Sequence, residues 1–169
     1  MSKIKFRLDD VSKDFNLIAI RSDVEDYRMV YFLNKKLNIN LSRRNNDIVF
    51  YKDENKYSIY DYTDESRYLK WIFFSNKSFS QKFIKDDNFT LFSNENFKNN
   101  EIRFIKELNS IDYFLTIENV ENIKYIEKIL TKISEISIVI TCFETSQGFK
   151  NKENLIFSWL IQGLKKQKL

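Results

Sequence analysis

Two segments of this chain combine an apolar run, an amphipathic helix and a second apolar run, near residues 15–50 and 111–143. An amphipathic helix has one apolar stripe, which it buries against the face of a sheet. The pattern therefore predicts an α+β fold with two strand–helix–strand units in a ferredoxin-like arrangement and both helices on one face of a mostly antiparallel sheet. The stretch between the units is expected to form an inserted β-meander.

The first unit begins with a strand and continues as a helix. The run Phe15–Ile20 is short, apolar and rich in residues that favour strands, which predicts a central strand. Ser22 and Glu25 have the spacing of a capping box, so we expect a helix to begin there and to end near Asn38. Its apolar stripe is expected to consist of Val30, Leu33 and Leu37.

The middle of the chain is expected to be rich in β-structure. Residues 48–51 and 57–60 are apolar and aromatic runs around a polar turn, which predicts the two strands of a hairpin. Residues 68–74 form a further apolar run and are expected to be another strand. From 75 to 101, isolated Phe residues stand among Asn, Ser and Lys, a pattern typical of short strands and loops.

The second unit contains the clearest amphipathic segment of the chain. Residues 111–117 predict a strand, Asn119 is a candidate N-cap, and the helix is expected over 120–134. Residues 136–143 then predict the returning strand. The apolar face of the helix is expected to consist of Ile123, Ile126, Ile129, Leu130 and Ile133.

The chain is expected to form a single domain over 1–169. It has no Pro and two Gly, and therefore no Pro- or Gly-rich linker that would divide it. Residues from about 1–12 and 164–169 are expected to be mobile ends. The chain is rich in Asn, Ile, Lys, Phe and Tyr, whose codons are rich in A and T, and this bias indicates a low-GC genome.

The positive charge of the chain is concentrated in its first half. The net charge is +4, and residues 1–85 alone carry +5, from 17 basic and 12 acidic side chains. A basic surface favours contact with RNA or with an acidic protein, and aromatic rings exposed beside it would stack on bases. The candidate partner or ligand surface consists of Tyr31, Phe32, Arg43, Arg44, Arg67 and Trp71.

Most familiar catalytic chemistry is excluded by what the sequence lacks. It has no His, which removes Ser–His–Asp and Cys–His nucleophilic sites and His-ligated zinc. Cys142 is the one cysteine, so it forms no intramolecular disulfide and fits a reducing compartment. No Gly-rich phosphate loop is present, and we expect no catalytic residue, no metal and no cofactor.

Carboxylates are the remaining candidates for chemistry. Asp9 and Asp10 precede the first strand, and a cluster of such groups would bind Mg²⁺ in a hydrolase. Asp112 lies inside an apolar run, where a charge is costly unless it is paired. We expect a structural ion pair between Asp112 and either Arg28 or Arg103.

These observations leave three hypotheses for the function. The leading one is a non-catalytic binding or accessory protein that docks on an RNA or protein partner. The alternatives are a small-molecule-binding regulatory domain and a metal-dependent hydrolase that uses carboxylates. No stretch approaches about 18 uncharged apolar residues, and the first residues lack the apolar run of a signal peptide, so we expect a cytoplasmic protein without a membrane span.

Two regions together resemble the signature of a known family. Residues 105–113 read Ile-Lys-Glu-Leu-Asn-Ser-Ile-Asp-Tyr and resemble Ile-Pro-Glu-x-x-x-Val-Asp-Tyr, with Lys106 in place of Pro and Ile111 in place of Val. The run over 17–28, which continues to Tyr31 and Leu33-Asn34, is also similar to this bacterial IPExxxVDY family, and so is Trp71 followed by Ser75-Asn76-Lys77. The resemblance covers most of the chain. It implies a bacterial, cytoplasmic protein, and it implies no catalytic residues because the family carries no assigned activity.

Overall fold

The computed structural model describes residues 15–45, 48–49, 56–81, 99–120 and 122–145. Two α-helices lie in these residues, α1 over Asp26–Leu37 and α2 over Ile123–Ser134, together with a short 3-10 helix over Lys106–Leu108. The strands of the same residues are, in chain order, β1 Phe15–Arg21, β2 Ser42–Arg43, β3 Ile48–Val49, β4 Lys56–Tyr57, β5 Ile59–Asp64, β6 Leu69–Ser75, β7 Lys77–Gln81, β8 Asn99–Arg103, β9 Tyr113–Glu118 and β10 Thr141–Glu144.

The main sheet has six strands in the order β10-β1-β9-β6-β5-β2. Every neighbouring pair in it is antiparallel. Two small antiparallel sheets, β3-β4 and β7-β8, accompany it. The predicted α+β class and antiparallel sheet are therefore confirmed. The finer ferredoxin-like arrangement is not confirmed, and β1 runs antiparallel to both of its neighbours.

Both helices pack on the same face of the main sheet, as predicted. Side chains from the central strands and from the two helices form one buried cluster on this face. Its strand members include Ile18, Ile20, Trp71, Phe73, Tyr113, Leu115 and Ile117. Its helix members are Met29, Val30, Leu33, Ile126, Ile129 and Ile133.

The opposite face of the sheet carries a second buried cluster. Successive side chains of a strand point to opposite faces, so Leu17 and Ala19 of β1 lie here while their neighbours face the helices. Tyr57 and Phe104 cover this face, and their rings meet edge to face at 5.3 Å. The segment that follows β8 is thereby held against the sheet.

The start of α1 differs from the capping-box prediction. Glu25 is the N-cap and makes no side-chain hydrogen bond there. Ser22 is fully buried, and its hydroxyl instead donates to the carbonyl oxygen of Ile138 at 2.7 Å. The capping-box prediction was wrong because the helix begins at Asp26, so Ser22 lies three residues before the N-cap and its side chain is buried. The predicted stripe is largely confirmed: Val30 and Leu33 are buried on α1.

The start of α2 also differs from the prediction. The N-cap is Asn122, whose side chain accepts the backbone N–H of Lys124 at 2.9 Å. Asn119, the predicted cap, has a left-handed backbone with φ of 64° and donates its side-chain amide to the Tyr68 carbonyl oxygen at 2.9 Å. Because the helix begins later than predicted, Ile123 lies in its first turn and is 74 % exposed.

Replacement of the α2 cap tests this assignment. Asn122→Ala is expected to lower the free energy of unfolding by about 1 kcal/mol, because the Lys124 N–H loses its acceptor. Urea unfolding followed by circular dichroism measures the loss. Asn122→Asp keeps an acceptor and is expected to stay near wild type. Equal losses in the two variants would contradict the assignment.

Other predictions fall partly on described residues. The hairpin is confirmed in part: β3 pairs antiparallel with β4, with Ile48 opposite Tyr57, whereas residues 59–60 belong to β5 of the main sheet. The returning strand is shorter than predicted, because residues 136–140 form turns before β10.

The expected mobile ends, 1–12 and 164–169, lie outside the described residues. The expectation that the chain forms a single domain stays a prediction. No helix in the described part of the chain is long and apolar enough to cross a membrane.

Candidate functional site

A fully buried asparagine, Asn76, holds the segment between β8 and β9 against the end of β6. Its Nδ2 donates to the carbonyl oxygens of Leu108 at 3.0 Å and Ile111 at 2.8 Å. Its Oδ1 accepts the backbone N–H of Ile105 at 2.7 Å. One side chain thus gives partners to three backbone groups outside any strand ladder, and these bonds fix the shape of the loop.

Asp112 follows this loop and is the centre of a buried ion cluster. Its Oδ1 lies 3.3 Å from Arg103 Nη1 and 3.4 Å from Lys77 Nζ. Its Oδ2 accepts the backbone N–H of Ser22 at 3.0 Å. These three groups offset the cost of taking the Asp112 carboxylate out of water. Of the two predicted partners of Asp112, the structure therefore selects Arg103.

Arg28, the other predicted partner of Asp112, lies elsewhere. Its Nη1 is 3.8 Å from Oε2 of Glu25, and 53 % of its side chain is exposed. The Asp112–Arg28 prediction was wrong, because Arg28 stands on the open side of α1, three residues after Glu25, while Asp112 faces β7 and β8.

Tyr113 connects the ion cluster to the segment before α1. Its phenolic hydroxyl donates to the carbonyl oxygen of Val24, and the Lys77 ammonium lies 5.7 Å from its ring centroid. Burial raises the pKa of the Tyr113 phenol above its ordinary value, and the negative charges of Asp26 and Asp112 raise it further. The phenol therefore stays protonated at neutral pH and remains a hydrogen-bond donor to the loop.

Tyr113 and Lys77 also line a cleft of 350 Å³ that is open to solvent. Pockets of about 300–1,000 Å³ are the usual size for small ligands. Its acidic lining residues are Asp23, Glu25 and Asp26, and its basic ones are Arg43, Lys56 and Lys77. Three serines also line it, Ser58, Ser75 and Ser78. The cleft therefore presents charges of both signs and small polar groups.

Several of the charged groups in the cleft already have partners. Arg43 Nη1 lies 3.0 Å from Asp26 Oδ2, and the same guanidinium stands 5.3 Å from the ring centroid of Tyr60. Burial raises the pKa of the Tyr60 phenol. In the described part of the chain, Asp23 and Lys56 line the cleft without forming an ion pair.

Ser58 lines the cleft, but its hydroxyl oxygen is not accessible from it. The Ser58 Oγ is buried and has no hydrogen-bond partner among the described residues. The Ser58 carbonyl oxygen, by contrast, accepts the backbone N–H of Ser75 at 3.0 Å. A buried hydroxyl normally has a partner, so Ser58 is an unsatisfied polar group beside the cleft.

The structure does not bring the six predicted surface residues together. Trp71 is 2 % exposed and belongs to the helix-side core, because it lies on the covered face of a central strand. Arg44 is ion-paired with Asp61, and only 19 % of its side chain is exposed. The prediction that Trp71 forms part of a contact surface was therefore wrong. Arg44 is largely buried, and its guanidinium pairs with the carboxylate of Asp61 in β5.

The remaining predicted surface residues are scattered. Tyr31 is 60 % exposed on α1, and Phe32 beside it packs partly against the core. Arg67 lies in the exposed turn after β5, with Nε 3.8 Å from Asp64 Oδ2. Only Arg43 of the six lines the cleft.

The aromatic residues of the meander are mostly core residues. Tyr57 is 2 %, Tyr60 6 % and Phe73 0 % exposed. They lie on the two faces of a sheet that is covered on both sides, so their rings are not available to stack on bases. Tyr68 is the exception, because it is 81 % exposed in the turn before β6. The meander therefore offers one exposed ring and not the row of rings that the RNA-binding prediction needs.

Other candidate reactive groups contribute no chemistry in the described residues. Asp9 and Asp10 lie outside them, and within them no three Cys, Asp or Glu residues are grouped as a metal site. The Cys142 thiol is half-buried, 3.6 Å from the carbonyl oxygen of Leu130. Burial raises the pKa of this thiol, which opposes the thiolate form that a nucleophile needs.

Comparisons with known proteins leave the cleft to be interpreted from its own geometry. The chain matches no family model, no curated protein and no solved structure. Membership of the IPExxxVDY family therefore stays a prediction, based on the sequence resemblance alone.

Proposed function

We propose that this is a non-catalytic binding protein and that a small polar molecule occupies the cleft. The observation that carries the proposal is a cleft of 350 Å³ in whose lining Asp23 and Lys56 carry opposite charges and form no ion pair among the described residues. A polar molecule in the cleft would gain a charge-assisted hydrogen bond from either group. Three serines add small polar groups to the same lining.

The groups that line the cleft support binding more than catalysis. Ser75 donates its hydroxyl to the Lys77 carbonyl oxygen at 2.8 Å, and the Tyr113 phenol donates to Val24. A serine nucleophile needs a neighbouring base that takes its proton, and the lining residues described here form no hydrogen bond of that kind. The hypothesis of a metal-dependent hydrolase needs converging carboxylates instead, and it gains no support because no such metal-binding group lies in the described residues.

A protein partner that docks on α1 is the second candidate. Tyr27 and Tyr31 are 61 % and 60 % exposed and lie one helical turn apart on this helix. Exposed tyrosines are enriched at protein interfaces. An interface of this kind would be weakened by Tyr31→Ser, which leaves the lining of the cleft unchanged.

We also propose that the chain is a bacterial cytoplasmic protein of the IPExxxVDY family. The support is spatial: the three runs that carry the resemblance meet around one carboxylate. Asp112 bonds to Ser22 from the first run and to Lys77 from the second, while Asn76 of the second holds Ile111 of the third. The residues of the family signature would then be the ones that join these three runs around the Asp112 carboxylate.

Thermal unfolding in the presence of a defined panel tests the binding proposal. The panel contains the standard amino acids, simple dipeptides, mono- and dicarboxylates, polyamines and nucleotides, each at millimolar concentration. At least one compound is expected to raise the midpoint of unfolding by several degrees. A ligand at about 100 times its Kd stabilises the native state by about 2.7 kcal/mol.

Two variants serve as controls for the panel. Asp23→Trp places a large side chain at an exposed lining position and is expected to abolish the shift. Lys106→Gln changes an exposed charge on the 3-10 helix and is expected to keep it. The proposal fails if no compound raises the midpoint, or if wild type and Asp23→Trp respond equally.

A further inference from the structure

We infer that the occupant of the cleft is a small zwitterion of amino-acid or dipeptide size, an inference that rests on the binding function proposed above. Among the described lining residues, Asp23 and Lys56 carry opposite charges and form no ion pair. A singly charged ligand would pair with one of these two groups, whereas a zwitterion would pair with both.

The two signs of charge come from different parts of the fold. The acids lie on residues 23–26, between β1 and the first turn of α1, while Lys56 and Lys77 lie on β4 and β7. Asp26 already forms an ion pair with Arg43, with 3.0 Å between Oδ2 and Nη1. Lys77 likewise pairs with Asp112, with 3.4 Å between Nζ and Oδ1. A ligand with separated charges therefore has a distinct acidic and a distinct basic element to contact.

The basic side of the cleft has a donor suited to a carboxylate. Lys56 lines the cleft and forms no ion pair in the part of the chain that the structure describes. Tyr57 beside it points away and is buried in the second core cluster. The Lys56 ammonium would donate to the carboxylate of a ligand.

The acidic side offers an acceptor for an ammonium group. Asp23 is exposed, lines the cleft and has no ion pair in the part of the chain that the structure describes. Glu25 beside it has only the 3.8 Å contact with exposed Arg28. The carboxylates of Asp23 and Glu25 would accept from a primary ammonium, which carries three donors.

Calorimetric titration with three matched dipeptides tests the inference. Alanyl-alanine is the zwitterion, N-acetyl-alanyl-alanine carries only the carboxylate, and alanyl-alanine amide carries only the ammonium. At neutral pH, alanyl-alanine is expected to bind about tenfold more tightly than either singly charged probe, because each of these lacks one charge-assisted contact.

Two variants assign the two ends of the ligand. Lys56→Gln is expected to remove the preference for alanyl-alanine over its amide and to keep the preference over the N-acetyl compound. Asp23→Asn is expected to do the reverse. Lys106→Gln, outside the cleft, is expected to bind all three probes like wild type.

The outcomes separate this inference from the binding function itself. Equal affinity for the three dipeptides, or no affinity for alanyl-alanine, overturns the zwitterion assignment. If a compound of the thermal panel nevertheless raises the midpoint of unfolding, and Asp23→Trp abolishes this shift, the binding function stands and the ligand belongs to another chemical class. If neither experiment yields a cleft ligand, both fail together.

Discussion

Asn76→Ala is expected to lower the free energy of unfolding by about 3 kcal/mol. The variant leaves the buried Ile105 N–H without its acceptor, removes one of two donors from the Leu108 and Ile111 carbonyl oxygens, and opens a void at a fully buried position. A buried polar group left without a partner costs about 1–3 kcal/mol, and the void adds to this loss. Urea unfolding of the purified variant measures the loss.

Asn109→Ala is the matched control for Asn76→Ala. Asn109 lies in the same segment but is exposed, so the same substitution is expected to cost no more than about 0.5 kcal/mol. Similar values for the two alanine variants would show that Asn76 does not hold the loop.

Asp112→Asn is expected to lower the free energy of unfolding by about 3 kcal/mol. The amide keeps an acceptor for the Ser22 N–H, but Lys77 loses the carboxylate with which it pairs. Arg103 loses the same carboxylate and keeps only its pair with Glu101. Removal of one partner from a buried ion pair is costly, because the remaining charge stays desolvated. Chemical unfolding at neutral pH measures the change.

Asp23→Asn provides the matched control, since it makes the same substitution at an exposed position close to Ser22. It is expected to change the free energy of unfolding by no more than about 0.5 kcal/mol. In addition, Lys77→Met is expected to reduce the cost of Asp112→Asn, because the two side chains interact directly. Additive effects of Lys77→Met and Asp112→Asn would argue against the ion cluster.

The fold could be predicted where hydrophobic periodicity is strong. β1, β6, β9 and α2 all fall where apolar runs or an apolar stripe predict them, because burial against one sheet sets their pattern. The helix starts could not be predicted in the same way. Ser22 fits a local capping box, yet its hydroxyl bonds to Ile138, a residue 116 positions away.

The candidate site was largely hidden from sequence reasoning. Asn76 bonds to residues 29 to 35 positions away, and Ser22 meets Asp112 across 90 positions. Such pairings follow from the strand order and not from any local spacing. Asp112 was an exception, because a charge inside an apolar run predicts a buried partner, and the structure supplies Arg103.

The surface prediction failed for a related reason. Basic and aromatic residues alternate along the meander, a pattern that fits both an exposed binding face and a core flanked by ion pairs. The structure shows the second arrangement at Trp71, which is buried, and at Arg44, which pairs with Asp61. A sequence cannot distinguish the two when both faces of a sheet are covered.

The most direct test of the cleft as a binding site is a ¹H–¹⁵N correlation spectrum of the labelled protein, recorded with and without alanyl-alanine or the strongest compound of the thermal panel. The largest chemical-shift changes are expected at the backbone amides of residues 22–26, 56–58 and 75–78, which surround the cleft. Changes confined to α2 and β10, or no change at saturating ligand, would contradict the proposal.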